Sequence, residues 1–205
     1  MTIREFNSKF SKYPLFSLHD IRKVFPDFDR RRLVEWQQKG YIVKIANSWY
    51  RFAEQEEDEA FLFLISNKIY NPSYISLESA LSYYGFIPEG VFTISAVSTM
   101  KTQVFATTKV KFRYKKIKEP LFWGYTLLST HGTQIKLALP EKAILDYLYL
   151  NKYIKSKDEF GELRWNLPII KQQISQTRIK QYCKEFHNTR LNKQLELLLN
   201  LLKDA

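Results

Sequence analysis

The chain has 205 residues, with 32 Lys and Arg against 21 Asp and Glu, a formal net charge of +11. A hydrophobic fraction of 45% excludes a disordered polymer, and a single cysteine excludes a disulfide-stapled scaffold. No apolar run approaches the ~18 residues of a spanning helix, and Thr2–Asn7 carries no signal-like apolar stretch, so no membrane association and a reducing cytoplasm are expected.

Residues 1–52 carry 11 basic and 5 acidic side chains. They read as three helices and a hairpin. Residues 2–11 make a short amphipathic helix with Ile3, Phe6 and Phe10 on one side, and Pro14 ends it. Ser17 with Asp20 three residues on has the form of a capping box, and Leu18, Ile21, Val24 and Phe25 supply the second apolar stripe. In the turn 26–29, Asp29 or Asp27 can cap a third helix from Arg30 to Lys39. Leu33 and Trp36 face inward, and Gly40 stands where a left-handed C-terminal cap belongs. Tyr41–Ile45 alternates as a strand, 46–48 turns, and Trp49–Phe52 returns.

Helix, helix, helix, hairpin is the order of a winged helix-turn-helix, whose last helix enters the major groove of DNA while the hairpin touches the backbone beside it. Arg30, Arg31 and Arg32 open the third helix, at the end closest to base edges. Arginine reads guanine bidentately, and Gln37 and Gln38 suit adenine. Lys44, Ser48 and Arg51 on the hairpin suit phosphates. The bland alternatives are a solvated basic face and a module that docks protein instead of DNA.

The run 53–60 holds five acids and no base, and separates this domain (residues 1–52) from the rest (53–205). It reads as the acidic first turn of a helix through Phe61–Lys68, where negative charge suits the dipole. A sharper reading makes it an arm that competes with DNA for the basic surface. Tyr74–Tyr84 reads as a capped helix ending at Gly85, and 91–98 as a strand. Over 108–118 the alternation puts Lys109, Lys111, Arg113 and Lys115 on one face, about 6.5 Å apart. That row is either a half-exposed strand whose lysines discourage edge pairing, or a second surface for a polyanion or acidic partner. Strands at 121–128 and 133–139 meet near Gly132, and Pro140 opens a helix to Leu150 with Ile144, Leu145 and Leu148 inward. Two long helical segments close the chain. One follows Pro168 and uses Ile170, Ile174, Ile179, Tyr182 and Phe186. The other spans 188–203, with Leu191, Leu195, Leu198 and Leu202 widened by Leu197 and Leu201, so it is buried in the domain or in a dimer.

The fold class expected is therefore α+β: the winged module, then a larger mixed α/β domain with a helical C-terminal end. No Gly-rich phosphate loop or metal-ligand spacing is present, so no cofactor and no metal are expected. His19 reads as a surface residue and Cys183 as packing. Glu141 and Asp146, at i and i+5, do not share a helix face and make a poor acid/base pair, so no catalytic residue is expected.

The winged module, the stretch Tyr74–Gly85 and the stretch Gln134–Leu148 together resemble the AbiEi-type antitoxin and transcriptional regulator family, over roughly residues 15–155. Ser48 stands near a place where that family commonly has glycine. The resemblance implies an antitoxin of a bacterial toxin–antitoxin system linked to abortive phage defence. Its winged domain would bind inverted repeats in its own promoter and repress the operon, with two copies meeting on the DNA. Its C-terminal domain would counter a cognate nucleotidyltransferase-like toxin, with 109–115 and 140–148 as candidate faces. The alternatives are a stand-alone regulator and a protein-interaction adaptor without DNA binding.

Overall fold

The computed structural model describes residues 1–46, 48–55, 57–88, 93–107 and 109–204. The chain is mixed α+β, with helices at its N-terminal end and a helical C-terminal end. It begins with α1 (Ile3–Phe10), β1 (Phe16–Ser17), α2 (Leu18–Val24), α3 (Arg31–Gln38) and the strands β2 (Ile42–Ala46) and β3 (Trp49–Phe52). Local chemistry accounts for the starts of α1 and α2 and for the end of α3. Thr2 with Glu5, and Ser17 with Asp20, form reciprocal capping boxes at α1 and α2. Gly40, at φ +71°, takes the left-handed turn that leads from α3 into β2. The three strands pair antiparallel in the order β1-β3-β2. The helices close over them on Phe6, Phe10, Phe16, Ile21, Leu33 and Trp36, with Phe6 and Phe10 stacked at 4.7 Å.

The register between β2 and β3 slips at Ile45: Lys44 faces Tyr50 and Ala46 faces Trp49. Ile45 is the extra residue of a bulge, which kinks the strand. It buries with Leu15 in the second, larger core rather than in the first. The division at residue 52 is therefore crossed by apolar contacts.

The larger part follows as α4 (Glu59–Ile69), β4 (Ser73–Ile75), α5 (Leu77–Tyr83), β5 (Thr93–Ser98), β6 (Gln103–Ala106), β7 (Lys111–Lys116), a 3-10 turn at Glu119–Leu121, β8 (Tyr125–Thr130), β9 (Thr133–Ala138) and α6 (Pro140–Leu150). Four helices complete it: α7 (Lys157–Glu162), α8 (Leu167–Gln173), α9 (Gln176–Glu185) and α10 (Thr189–Asp204). The six-stranded sheet runs β6-β7-β5-β4-β9-β8, with β5–β7 and β4–β9 parallel and the other pairs antiparallel. Helices α5 and α6 pack together, and α9 and α10 pack on α6.

Several expectations change. Tyr74 and Ile75 are strand, not helix: the stretch 73–75 pairs on both sides, and the helix starts only after Ser76. Strand β6 was not anticipated from the pattern. Helix α4 starts at Glu59, capped by the Asp58 side chain on Phe61 N–H at 2.7 Å, so most of the acidic run precedes it. The segment after Pro168 is two helices, because Ser175 caps a new one through Arg178 N–H. The wide leucine stripe of α10 is accounted for within this chain, with Leu191, Leu195, Leu198, Leu199 and Leu202 buried. The expected strand at 91–98 begins at Thr93, and residues 91–92, Asn47 of the hairpin turn and Thr108 lie outside the described residues. No helix among the described residues is long and apolar enough to cross a membrane.

Candidate nucleic-acid interface

Helix α3 buries Leu33 and Trp36 and so turns the opposite face outward. At a helical spacing of three and four residues that face carries Arg31, Val34, Glu35 and Gln38, all exposed. Arg30 precedes the helix and is exposed, and Arg32 is half-buried at the flank. The placement breaks a local rule. A helix N-terminus carries partial positive charge, and three guanidinium groups there oppose it. Asp29 offsets part of this. Its carboxylate accepts from Arg31 N–H at 2.9 Å and pairs with the Arg31 guanidinium at 2.8 Å. The hydrogen bond and charge of Arg31 hold the Asp29 carboxyl below its ordinary value, and Asp29 raises Arg31 in return. Glu35 pairs with Lys39 at 2.6 Å in the same way. Arg31 is nonetheless 93% exposed, and such surface pairs exchange readily for a stronger anion.

The other expected contacts divide. Gln38 is free of described hydrogen bonds on the outward face, whereas Gln37 is half-buried and its amide donates to the Leu33 carbonyl at 2.8 Å. Lys44 and Ser48 are exposed on the hairpin. Arg51 is a correction: it is 4% exposed and cannot meet a phosphate. Its guanidinium pairs with Glu57 and donates to the carbonyls of Phe52 and Gln55, each at 2.9 Å. Gln55 and Glu57 thus lie against the end of β3 and hold this charge inside. A residue the pattern did not single out is Val34, 54% exposed between Arg31 and Gln38. Its place one helical turn on from the arginines is the sequence signal for that exposure.

The second basic row is also broken up. Strand β7 lies between β6 and β5, so its lysines do not guard an edge. Lys111 is exposed and Lys115 half-buried, but Arg113 pairs with Glu78 at 3.0 Å and donates to Ser95 Oγ at 3.2 Å. Lys109 precedes the strand and lies 3.8 Å from Glu57. Among the described residues, the row expected from period 2 is two cations without such a partner, one part-exposed ion pair and one cation near the hairpin.

The stretch 140–148 holds a buried ion pair that its local pattern does not reveal. Lys142, one turn before Asp146, is fully buried with it. The Asp146 carboxylate accepts from Tyr74 Oη and Ser76 Oγ, each at 2.8 Å, as well as from Lys142. The ammonium also lies over the rings of Trp123 and Phe186, at 5.1 and 5.0 Å. Burial holds Lys142 below its ordinary value while Asp146 pulls it back up, and burial with the Asp146 charge pushes Tyr74 well up. Gly124, at φ +75°, leaves the space: a Cβ there would stand 2.9 Å from Lys142 Cγ. This cluster pins α6 to β4. Glu141 points elsewhere, accepting from Ser175 N–H at 2.9 Å. Among the described residues no group of His, Cys, Asp and Glu could hold a metal ion. His19 is exposed, and Cys183 is buried, its thiol pushed up to about 11 by burial.

No protein-family model matches the chain, and no curated protein matches it.

Proposed function

We propose that this chain is a DNA-binding autoregulator of the AbiEi antitoxin type. The observation that carries the DNA-binding part is the start of α3, where exposed Arg30 and Arg31 and half-buried Arg32 crowd a helix end that disfavours them. Local rules are broken where function demands it. A phosphate or a guanine edge would satisfy both the guanidinium groups and the helix terminus. The element order and the β1-β3-β2 sheet support a winged helix-turn-helix, with Lys44 and Ser48 of the hairpin on the backbone. Arg51 is left out of the contact set. The antitoxin role, the nucleotidyltransferase-like toxin as partner, and pairing of two copies on inverted repeats rest on the resemblance of 74–85 and 134–148.

The test is binding of the full chain to a duplex from upstream of its own gene, followed by fluorescence anisotropy across a salt series. Arg30→Ala with Arg32→Ala is expected to weaken binding at least tenfold. It should also flatten the log–log salt slope by about 1.8, since each lost phosphate contact removes about 0.9. Unchanged affinity and slope would reject the site. Growth rescue on co-expression with a neighbouring toxin gene tests the antitoxin role separately.

A second reading has one observation in its favour. Val34, Tyr41 and Val43 are exposed on α3 and the start of the hairpin, an apolar trail that fits a protein partner. Salt-insensitive capture of a protein, with no DNA shift, would favour it.

A further inference from the structure

The hairpin and the six-stranded sheet enclose a cleft of about 620 Å3, within the roughly 300–1,000 Å3 typical of small-ligand pockets. Its apolar wall is made by Val43 and Ile45 of the hairpin, Leu62 and Ile65 of α4, and Val110 and Phe112 beside and on β7. Its charged groups lean one way. Lys44, Arg51 and Lys109 line it against one described carboxylate, Glu57, and Arg51 and Lys109 already share that carboxylate. Lys44 is exposed and has no ion pair among the described residues. Arg51 commits both terminal nitrogens, yet its Nε is buried without a hydrogen-bond partner. That donor is sealed inside the protein with the rest of Arg51, so an entering anion is left to the two lysines.

We propose that this cleft binds a small amphipathic anion, its apolar body on Val43, Ile45, Leu62, Ile65 and Val110 and its acidic head between Lys44 and Lys109. Among the described residues the lining carries more positive than negative charge, which favours an anionic head over a neutral one or a cation. The ligand would touch the hairpin, α4 and the edge of the sheet together, so occupancy stabilises their packing by mass action. This reading stands whether or not α3 meets DNA.

The test titrates the full chain with anilinonaphthalene sulfonate, an amphipathic anion whose emission rises in apolar surroundings. Octanoate and octylamine serve as competitors of equal length and opposite charge. One saturable site per chain is expected, displaced by octanoate and not by octylamine. Ala106→Trp places a large ring in the cleft that Ala106 lines, and is expected to weaken the dye at least tenfold. Lys44→Gln with Lys109→Gln keeps the shape and removes two charges, for a loss of about tenfold. Circular dichroism checks that both variants fold, and the lysine pair decides alone if Ala106→Trp does not. Absence of a saturable site, equal displacement by both competitors, or full affinity in the folded variants would overturn the proposal.

Discussion

Two cationic sites of the molecule, the arginines at the start of α3 and Lys142 of α6, handle positive charge in opposite ways. Around α3 the cations are outside: Arg30 and Arg31 are exposed, and their carboxylates, where present, are surface partners. In the larger part Lys142 is wholly inside, with a carboxylate, a phenol, a serine and two aromatic faces in reach of its cluster. The lesson concerns what each charge is held for. An outside cation adds little to stability and is available to a new anion. An inside cation is spent on geometry, and its loss is felt by everything that surrounds it.

The sharpest way to break this contrast is Asp146→Ala. It leaves Lys142 buried and uncompensated, and is expected to cost about 3–5 kcal/mol, read from the midpoint of urea unfolding. Lys142→Met with Asp146→Leu should recover most of that loss, because no charge is left unpaired. An equal loss in the double variant would mean that the pair specifies the fold beyond its charges. Next in size is Glu57→Ala, expected to destabilise by about 2 kcal/mol, since Arg51 keeps its carbonyl partners but loses its carboxylate.

Asp58 should give a smaller and pH-dependent effect. The Phe61 N–H and then His131 hold its carboxyl below the ordinary 3.8. Its contribution is therefore fully present above pH 3.8 and fades as pH falls through the lower folded value. Asp58→Ala should cost about 1 kcal/mol at neutral pH as a lost cap, with the melting curves of variant and parent converging in acid. Smallest of all, Arg30→Ala with Arg32→Ala should move stability by no more than about 0.5 kcal/mol in calorimetry, whatever it does to the proposed affinity for a duplex. A large loss there would place those arginines in the structure rather than on a ligand.

Legibility followed the range of the signal. Helices α1 and α2 and the Gly40 turn that ends α3 are readable because their caps lie within a few residues of what they cap. Tyr74 and Ile75 were misread because nothing local distinguishes their apolar run from a helix. Their strand is decided by β5 and β9, distant in the chain. Strand β6 is short, mostly exposed and paired on one side, so it carries no alternation to see. Arg51 reads as an outward hairpin cation until the Gln55 carbonyl and the Glu57 carboxylate are placed against it. The i, i+4 spacing of Lys142 and Asp146 was visible, but their burial depends on Tyr74, Trp123 and Phe186, which no window of sequence contains.

Leu15 and the bulged Ile45 belong to the larger core although they sit within the first 52 residues. Ala46 and Trp49 pack against that core as well. A genetic exchange that cut the gene near codon 53 would hand these side chains to a neighbour that lacks their matching surface. The two halves are thus expected to travel through evolution as a matched set, and a hybrid made from two such genes should regain solubility only when both sides of that joint come from the same parent.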